Sequence, residues 1–229
     1  STLLNVFEQN VKDDPRAPKT IDIVFFNPIQ FEWLIPNTLS HDHPNTPGVD
    51  IESDAFHFFQ KRGYIQFAKQ NSYYRSIEHY VYTDELQEDI SLLKQKNIET
   101  TLYQQGVHNG FDELFEDLNN PIWRTEILSA VSTDQPVVIA HNQGRIIGFT
   151  GPLRVQHSLR GYFAGIGVHS EYRGYGIGKV LFSTLCLELS RLGATYMSLF
   201  TGETNPARKI YEKEHFEIVR SWANLRKEL

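Results

Sequence analysis

The stretch Arg173-Gly174-Tyr175-Gly176-Ile177-Gly178-Lys179 sets three glycines at alternating positions between two cations, a composition suited to gripping a phosphorylated ligand. At a helix start the first N–H groups have no intrahelical partner, and the peptide dipoles sum to about half a positive charge. Phosphate oxygens find both donors and a favourable field there. Glycines let the backbone approach closely and adopt turns a side chain would forbid. Lys179 adds a compact cation and Arg173 a forked one. A plain strand-to-helix turn with solvated basic residues would use fewer glycines, so the pattern favours a phosphate cradle.

Two common phosphate motifs do not fit. A Walker loop needs G-x-x-x-x-G-K-[ST], but Arg173 stands where its first glycine belongs, and Val180 follows Lys179. A dinucleotide fingerprint needs G-x-G-x-x-G, whereas these glycines run 174, 176, 178, with no acidic residue placed for a ribose.

The residues do match R-x-x-G-x-G, with Arg173, Gly176 and Gly178 in register. This resembles motif A of the GNAT superfamily of acyl-CoA-dependent N-acetyltransferases. Downstream, Asn205-Pro206-Ala207-Arg208-Lys209-Ile210-Tyr211-Glu212-Lys213-Glu214-His215-Phe216 is similar to the family's motif B, where an Asn opens a helix, a Tyr follows and an aromatic starts the last strand. His215 stands where the family commonly has Gly, a departure that touches a helix C-cap rather than chemistry.

The resemblance implies acetyl-CoA as co-substrate, held by Arg173, Gly174, Tyr175, Gly176, Ile177, Gly178, Lys179 and Asn205. It makes Tyr211 the proton donor to the departing thiolate. An acceptor ammonium has a reference pKa near 10.4 and must lose a proton before attack, and the oxyanion that follows needs donors. Main-chain N–H groups of the strand around Ile166 and Val168 can supply them, with Gly165 and Gly167 inviting a bulge. No Ser-His or Cys-His pattern offers an enzyme nucleophile, so transfer is expected to be direct, in a ternary complex. Glu171, His169, His157, Glu203 and Glu113 are candidates for the general base, and no spacing rule selects among them.

Positioning these groups takes alternating strands and helices. Ile98 to Gln105 reads as a strand, Phe111 to Leu118 and Ile122 to Val131 as helices, the latter with Pro121 at the first helical position. Asn142-Gln143-Gly144 is a hairpin turn between Pro136 to His141 and Arg145 to Pro152. A central strand over Tyr162 to Val168, a helix over Lys179 to Leu192, a strand over Tyr196 to Thr201, a helix over Pro206 to Glu214 and a strand over Phe216 to Leu225 follow. The residues alone give a mixed α/β protein. The resemblance makes it α/β (α+β) in the GNAT manner, a mixed central sheet flanked by helices.

The front of the chain echoes the back. Ala55-Phe56-His57-Phe58-Phe59-Gln60-Lys61-Arg62-Gly63-Tyr64 aligns without a gap on residues 207–216. Ile21 to Phe26 mirrors the strand at Tyr196, and Ser1 to Phe7 resembles the helix after the motif A glycines. Three features in one order favour a duplication over chance likeness of amphipathic helices. The expected organisation is a partial, degenerate GNAT-like repeat over 1–80 that lacks its front, a solvated linker helix over 81–97, and a complete GNAT domain over 98–229. The first repeat has Phe59 where the second has Tyr211, and no glycine turn, so it is expected to be catalytically incompetent. Its insertion, Asn27 to Asp50, carries Ser40-His41-Asp42-His43-Pro44-Asn45, which turn-forming residues explain better than a metal site.

Composition narrows the classes. A chain of 229 residues that is 40% hydrophobic can bury a sizeable core. A net charge of -6 argues against nucleic acid as a partner. No apolar run spans a bilayer and no signal peptide is visible, so a cytoplasmic location without membrane contact is expected. The lone Cys186 fits a reducing compartment and reads as a packed thiol. Expected partners are a small-molecule or peptide amine acceptor and room for a homodimer. The alternative is a non-catalytic acyl-CoA-binding or regulatory module, which the decayed first repeat keeps in play.

Overall fold

The computed structural model describes residues 2–25 and 31–229. Ser1, Phe26 and the first residues of the predicted insertion lie outside the described residues. In chain order the elements are α1 (Thr2–Lys12), β1 (Thr20–Ile23), β2 (Trp33–Leu34), β3 (Asp42–His43), β4 (Val49–Asp50), α2 (Asp54–Lys61), β5 (Ile65–Ser76), α3 (Asp84–Lys94), β6 (Ile98–Leu102), α4 (Phe111–Leu118), α5 (Pro121–Ser132), β7 (Val138–Asn142) and β8 (Arg145–Thr150). There follow β9 (Arg160–Gly161), β10 (Ile166–Val168), α6 (Ile177–Arg191), β11 (Tyr196–Gly202), α7 (Arg208–Lys213) and β12 (Glu217–Glu228).

Two compact units result. The first gathers Ser1–Tyr73, Leu199–Arg208 and Glu217–Leu229. Its strands run in the order β1-β12-β5-β11, with β4 also pairing β12. Ile21, Val49, Tyr64, Ala223 and Leu225 form its core, with Leu4 and Val11 of α1 and Phe56 and Phe59 of α2 packed on. The insertion is no free loop. Its β2–β3 hairpin brings Trp33 to 5.1 Å from Trp222 and His43 to 6.1 Å from Phe200, ring centre to centre. His43 is buried within this aromatic group, a packing role for the histidine of the His-Asp-His sequence.

The second unit, Tyr74–Ser198 with Lys209–Phe216, is built on a four-stranded antiparallel sheet ordered β10-β8-β7-β6. Phe111, Leu114, Phe115, Ile127, Ile139, Ile146 and Phe149 cluster between this sheet and helices α4 and α5. Helix α6 approaches so closely that a Cβ added at Gly148 would meet Leu181 Cδ1 at 3.1 Å. The β7–β8 turn holds Gln143 at φ 50 and Gly144 at φ 91, the two left-handed residues of a tight hairpin. Caps place the helices: Thr83 accepts from Leu86 N and Asn120 from Trp123 N, each worth about 1 kcal/mol.

Several boundaries differ from the sequence reading. Of the strand expected over Tyr162 to Val168 only Ile166–Val168 forms one, as β10, with 162–165 outside any ladder and β9 ending before them. Packing requires glycine here: a Cβ at Gly165 would overlap the Trp123 indole at 2.4 Å, and one at Gly167 would meet Leu118 at 2.6 Å. The irregularity expected at those glycines falls instead in β7, between Ala140 and His141. Helix α6 begins at Ile177, before Lys179, because Gly176 caps it in the left-handed conformation. Residues 84–94 form a packed helix with Leu86 and Leu93 buried rather than a solvated linker.

Candidate functional site

The second unit brings an open strand edge and the glycine turn together. β10 is the terminal strand of its sheet. Its pairs with β8 are Ile166 with Thr150, Gly167 with Phe149 and Val168 with Gly148. His169 N donates to Ile147 O at 2.8 Å. Antiparallel pairs alternate between bonded and non-bonded, so Gly167 is bonded to β8 while Ile166 and Val168 turn their main-chain groups to the open edge.

From β10 the chain passes through a single 3-10 turn, Ser170–Tyr172, into the glycines. Asp117 fixes that turn: Ser170 Oγ and Ser170 N donate to its two oxygens at 2.5 and 2.7 Å. Those bonds hold the Asp117 pKa below the ordinary carboxylate value, the Ser170 hydroxyl contributing most. Gly174 and Gly176 then adopt φ of 86° and 84°, and a Cβ at either would have nothing within 4 Å. Only glycine takes that conformation without cost. The amides from Gly174 to Gly178 donate to no main-chain carbonyl among the described residues. Gly174 to Gly176 are exposed, and the buried Ile177 and half-buried Gly178 open the fifteen-residue helix α6 behind them. An exposed row of unused donors at a helix start fits a diphosphate.

The cations are distributed differently from expectation. Arg173 is exposed, with Nε donating to Val168 O at 3.2 Å. Lys179 faces away from the phosphate role: its ammonium donates to Glu85 at 2.6 Å and Asp89 at 2.8 Å of α3. Burial pulls the Lys179 pKa down, but the bonds to Asp89 and Glu85 outweigh it, and the net shift is upward. The exposed Lys96 instead lies 4.9 Å from the Tyr175 ring centre, a cation beside the turn that no sequence spacing announced.

Tyr211 lies on α7, beside Ile210, whose Cδ1 would be 3.0 Å from a Cβ at Gly178 near the start of α6. Its ring is 4% exposed and packs on Phe182 at 4.9 Å and Phe163 at 5.9 Å. The helix ends with His215 at φ 56, the left-handed position where glycine is easiest to accommodate. Glu214 is buried there and accepts from Tyr80 at 2.5 Å and Ser183 at 2.6 Å. Arg75 bonds it as well, 3.4 Å from Oε2. This clamp, assembled from three distant segments, was not legible in the sequence.

In the first unit Asn205 donates to Thr201 Oγ1 at 2.8 Å and accepts from Ala207 N at 3.0 Å. It thereby shapes a turn, and α7 starts at Arg208, later than the expected Pro206. Among the general-base candidates, Glu203 is bound by Lys69 at 2.8 Å, His169 accepts from Glu171 N at 3.3 Å, and Glu171, His157 and Glu113 are exposed. No contact singles out any of them as a base. Glu126, absent from that set, accepts a bond from Tyr162 at 2.5 Å. Among the described residues there is no group of three or more metal-ligating side chains, and no helix is long and apolar enough to cross a membrane.

Residues 133–218 match the family model of the acetyltransferase (GNAT) domain. Among solved structures the chain is similar to a GCN5-related glucosamine N-acetyltransferase region of a fungal multi-domain GH3 beta-N-acetylglucosaminidase, with 19% identity, 79% of this chain and 24% of that chain covered, and a TM-score of 0.62. It is similar to a GCN5-related N-acetyltransferase from Sphaerobacter thermophilus, with 15% identity, coverage of 79% and 58%, and a TM-score of 0.57. A tandem GNAT protein from the clavulanic acid biosynthesis pathway gives 13% identity, coverage of 93% and 65%, and a TM-score of 0.52. The chain spans less than two thirds of each of these proteins. At such identities the likeness concerns the fold. No curated protein sequence matches.

Proposed function

The chain carries a GNAT-family acetyltransferase domain, and from that premise we propose that it moves an acetyl group from acetyl-CoA directly to a primary amine in a ternary complex. The observation that carries this reading is the pairing of an exposed, unbonded glycine turn with an open strand edge running into it. The amides of Gly174 to Gly178 suit the diphosphate, with Arg173 and the adjacent Lys96 contributing charge. Lys179 adds no free donor to this cradle, its ammonium being committed to α3 and its main-chain N–H bonded to Gly176 O at 3.0 Å. The outward-facing main chain of Ile166 and Val168 suits a carbonyl that gains negative charge.

Bound acetyl-CoA supplies a thioester-activated acetyl group. Tyr211 returns a proton to the sulfur as it leaves, and Asn205 orders the turn ahead of the helix that carries Tyr211. Reaction in the cytoplasm, at an amine on a small molecule or peptide, belongs to the same proposal, as does a tandem origin with a degenerate first repeat.

Calorimetry with coenzyme A, followed by thiol release from acetyl-CoA over a panel of amines, tests it. Micromolar binding and amine-dependent release are expected. Binding without release from any amine would favour the non-catalytic module, and absence of heat would end the reading.

A further inference from the structure

We infer that Glu126, aimed by Tyr162, anchors the ammonium of the acceptor, and that the acceptor is a primary amine on an apolar body. This rests on the acetyl-transfer reading above and gives its second substrate a place.

Glu126 is half-buried on α5. One carboxylate oxygen accepts from the Tyr162 hydroxyl at 2.5 Å. Several other half-buried or buried carboxylates answer a cation, Glu8 with Lys227, Asp89 with Lys179 and Glu214 with Arg75, while Asp117 takes both a hydroxyl and a main-chain N–H from Ser170. Glu126 has a phenol, and no Lys or Arg pairs with it among the described residues. A carboxylate withdrawn from water without an opposite charge is costly unless something supplies that charge. It still has open lone pairs, and an ammonium has three donors to offer.

Tyr162 is held for this task. The Arg154 guanidinium lies 3.9 Å over its ring, a cation–π contact that fixes the ring plane. Burial first, then the bond to Glu126, push the Tyr162 pKa up to about 12. The phenol stays protonated and donating at any working pH.

Position ties the carboxylate to the transfer edge. Trp123, one turn earlier on α5, lies against Gly165, where a Cβ would meet the indole at 2.4 Å. Gly165 immediately precedes β10. Residues three apart on a helix have Cβ atoms about 5–6 Å apart, so Glu126 stands one side chain beyond the indole that covers the approach to Ile166. Outside it is an open depression of about 560 Å³ lined by Pro121, Ile122, Thr125, Glu126 and Ser129. Ile122 is 69% exposed there, an apolar surface for the stem of an amine whose charged end meets Glu126.

The test titrates n-hexylammonium into the free and the coenzyme A-saturated protein, following the Trp123 indole N–H by NMR, with n-hexanol as a probe of equal stem and no charge. Saturable binding of n-hexylammonium is expected, at least tenfold weaker for n-hexanol. Glu126→Gln should abolish that preference, leaving coenzyme A affinity within twofold. Equal binding of both probes by the unaltered protein, no saturation by n-hexylammonium, or an undiminished preference in Glu126→Gln would overturn the inference. Coenzyme A failing to bind would remove the acetyl-transfer reading, while the free-protein titration would still decide the role of Glu126.

Discussion

In the proposed reading Tyr211 joins packing and chemistry in one side chain. Its ring is wedged against Phe182 and Phe163, so Tyr211→Phe keeps those ring contacts and removes the hydroxyl. With the donor role, turnover of an amine substrate should fall about 100-fold or more, while coenzyme A affinity by calorimetry stays within about twofold. An unchanged turnover would leave Tyr211 as a core aromatic. His108 is a second residue whose consequence can be read from its surroundings. It is buried 4.7 Å from the His141 ring, and burial, then His141, lower its pKa. The folded protein therefore resists a proton that the unfolded chain takes up near pH 6.5. Stability is intact above that pH and falls as pH drops through the window below it. His108→Asn, which can still accept from Gln104 N as His108 does, should flatten that acid decline in urea-melt stability measured from pH 7 to 5. An equally steep decline would assign the pH dependence elsewhere.

Helix α6 carries two open glycines, one at each end, and they allow a controlled comparison. Gly176 precedes its start at φ 84 and Gly193 follows its end at φ 93, both with nothing within 4 Å. Alanine at either forces a left-handed residue at about 1–2 kcal/mol. The two variants should lose similar thermal stability, yet with the proposed diphosphate site only Gly176→Ala should weaken coenzyme A, by about tenfold, because only that turn has free amides to offer. Equal coenzyme A affinity in both would detach the glycine turn from binding. The glycines and the helix behind them were legible because turn geometry and helical period are local properties of the chain. The break before β10 was not, since what forbids a side chain at Gly165 is an indole from α5. Nor was the fate of Lys179, whose two carboxylates come from α3. A local motif names the residues near a ligand, while distant segments decide which of them remain available.

At the scale of the whole chain, the last strand belongs with the first residues. β12 lies between β1 and β5, so the opening segment owes its sheet to the C-terminus. Extending the gapless alignment of residues 55–64 with 207–216 sets Gln70 against Trp222 and Ser72 against Asn224. Gln70 donates to Asn224 at 3.2 Å and Trp222 to Ser72 at 2.9 Å. Both bonds tie β5 to β12, and because residue numbers rise along one strand as they fall along the other, this reciprocity belongs to the antiparallel pairing itself. The likeness of the two helices was readable from the sequence, but alternating side chains do not name a strand's neighbour, so the place of β12 between β1 and β5 was not. A chain ended after Phe216 should therefore lose amide-exchange protection in both β1 and β5, which β12 flanks. A free-standing repeat would keep that protection. Trp222→Ala is the milder form of the same test. It removes a 3% exposed indole packed edge-on against Trp33, at about 3–5 kcal/mol, and β1 and β5 should lose protection together rather than one at a time.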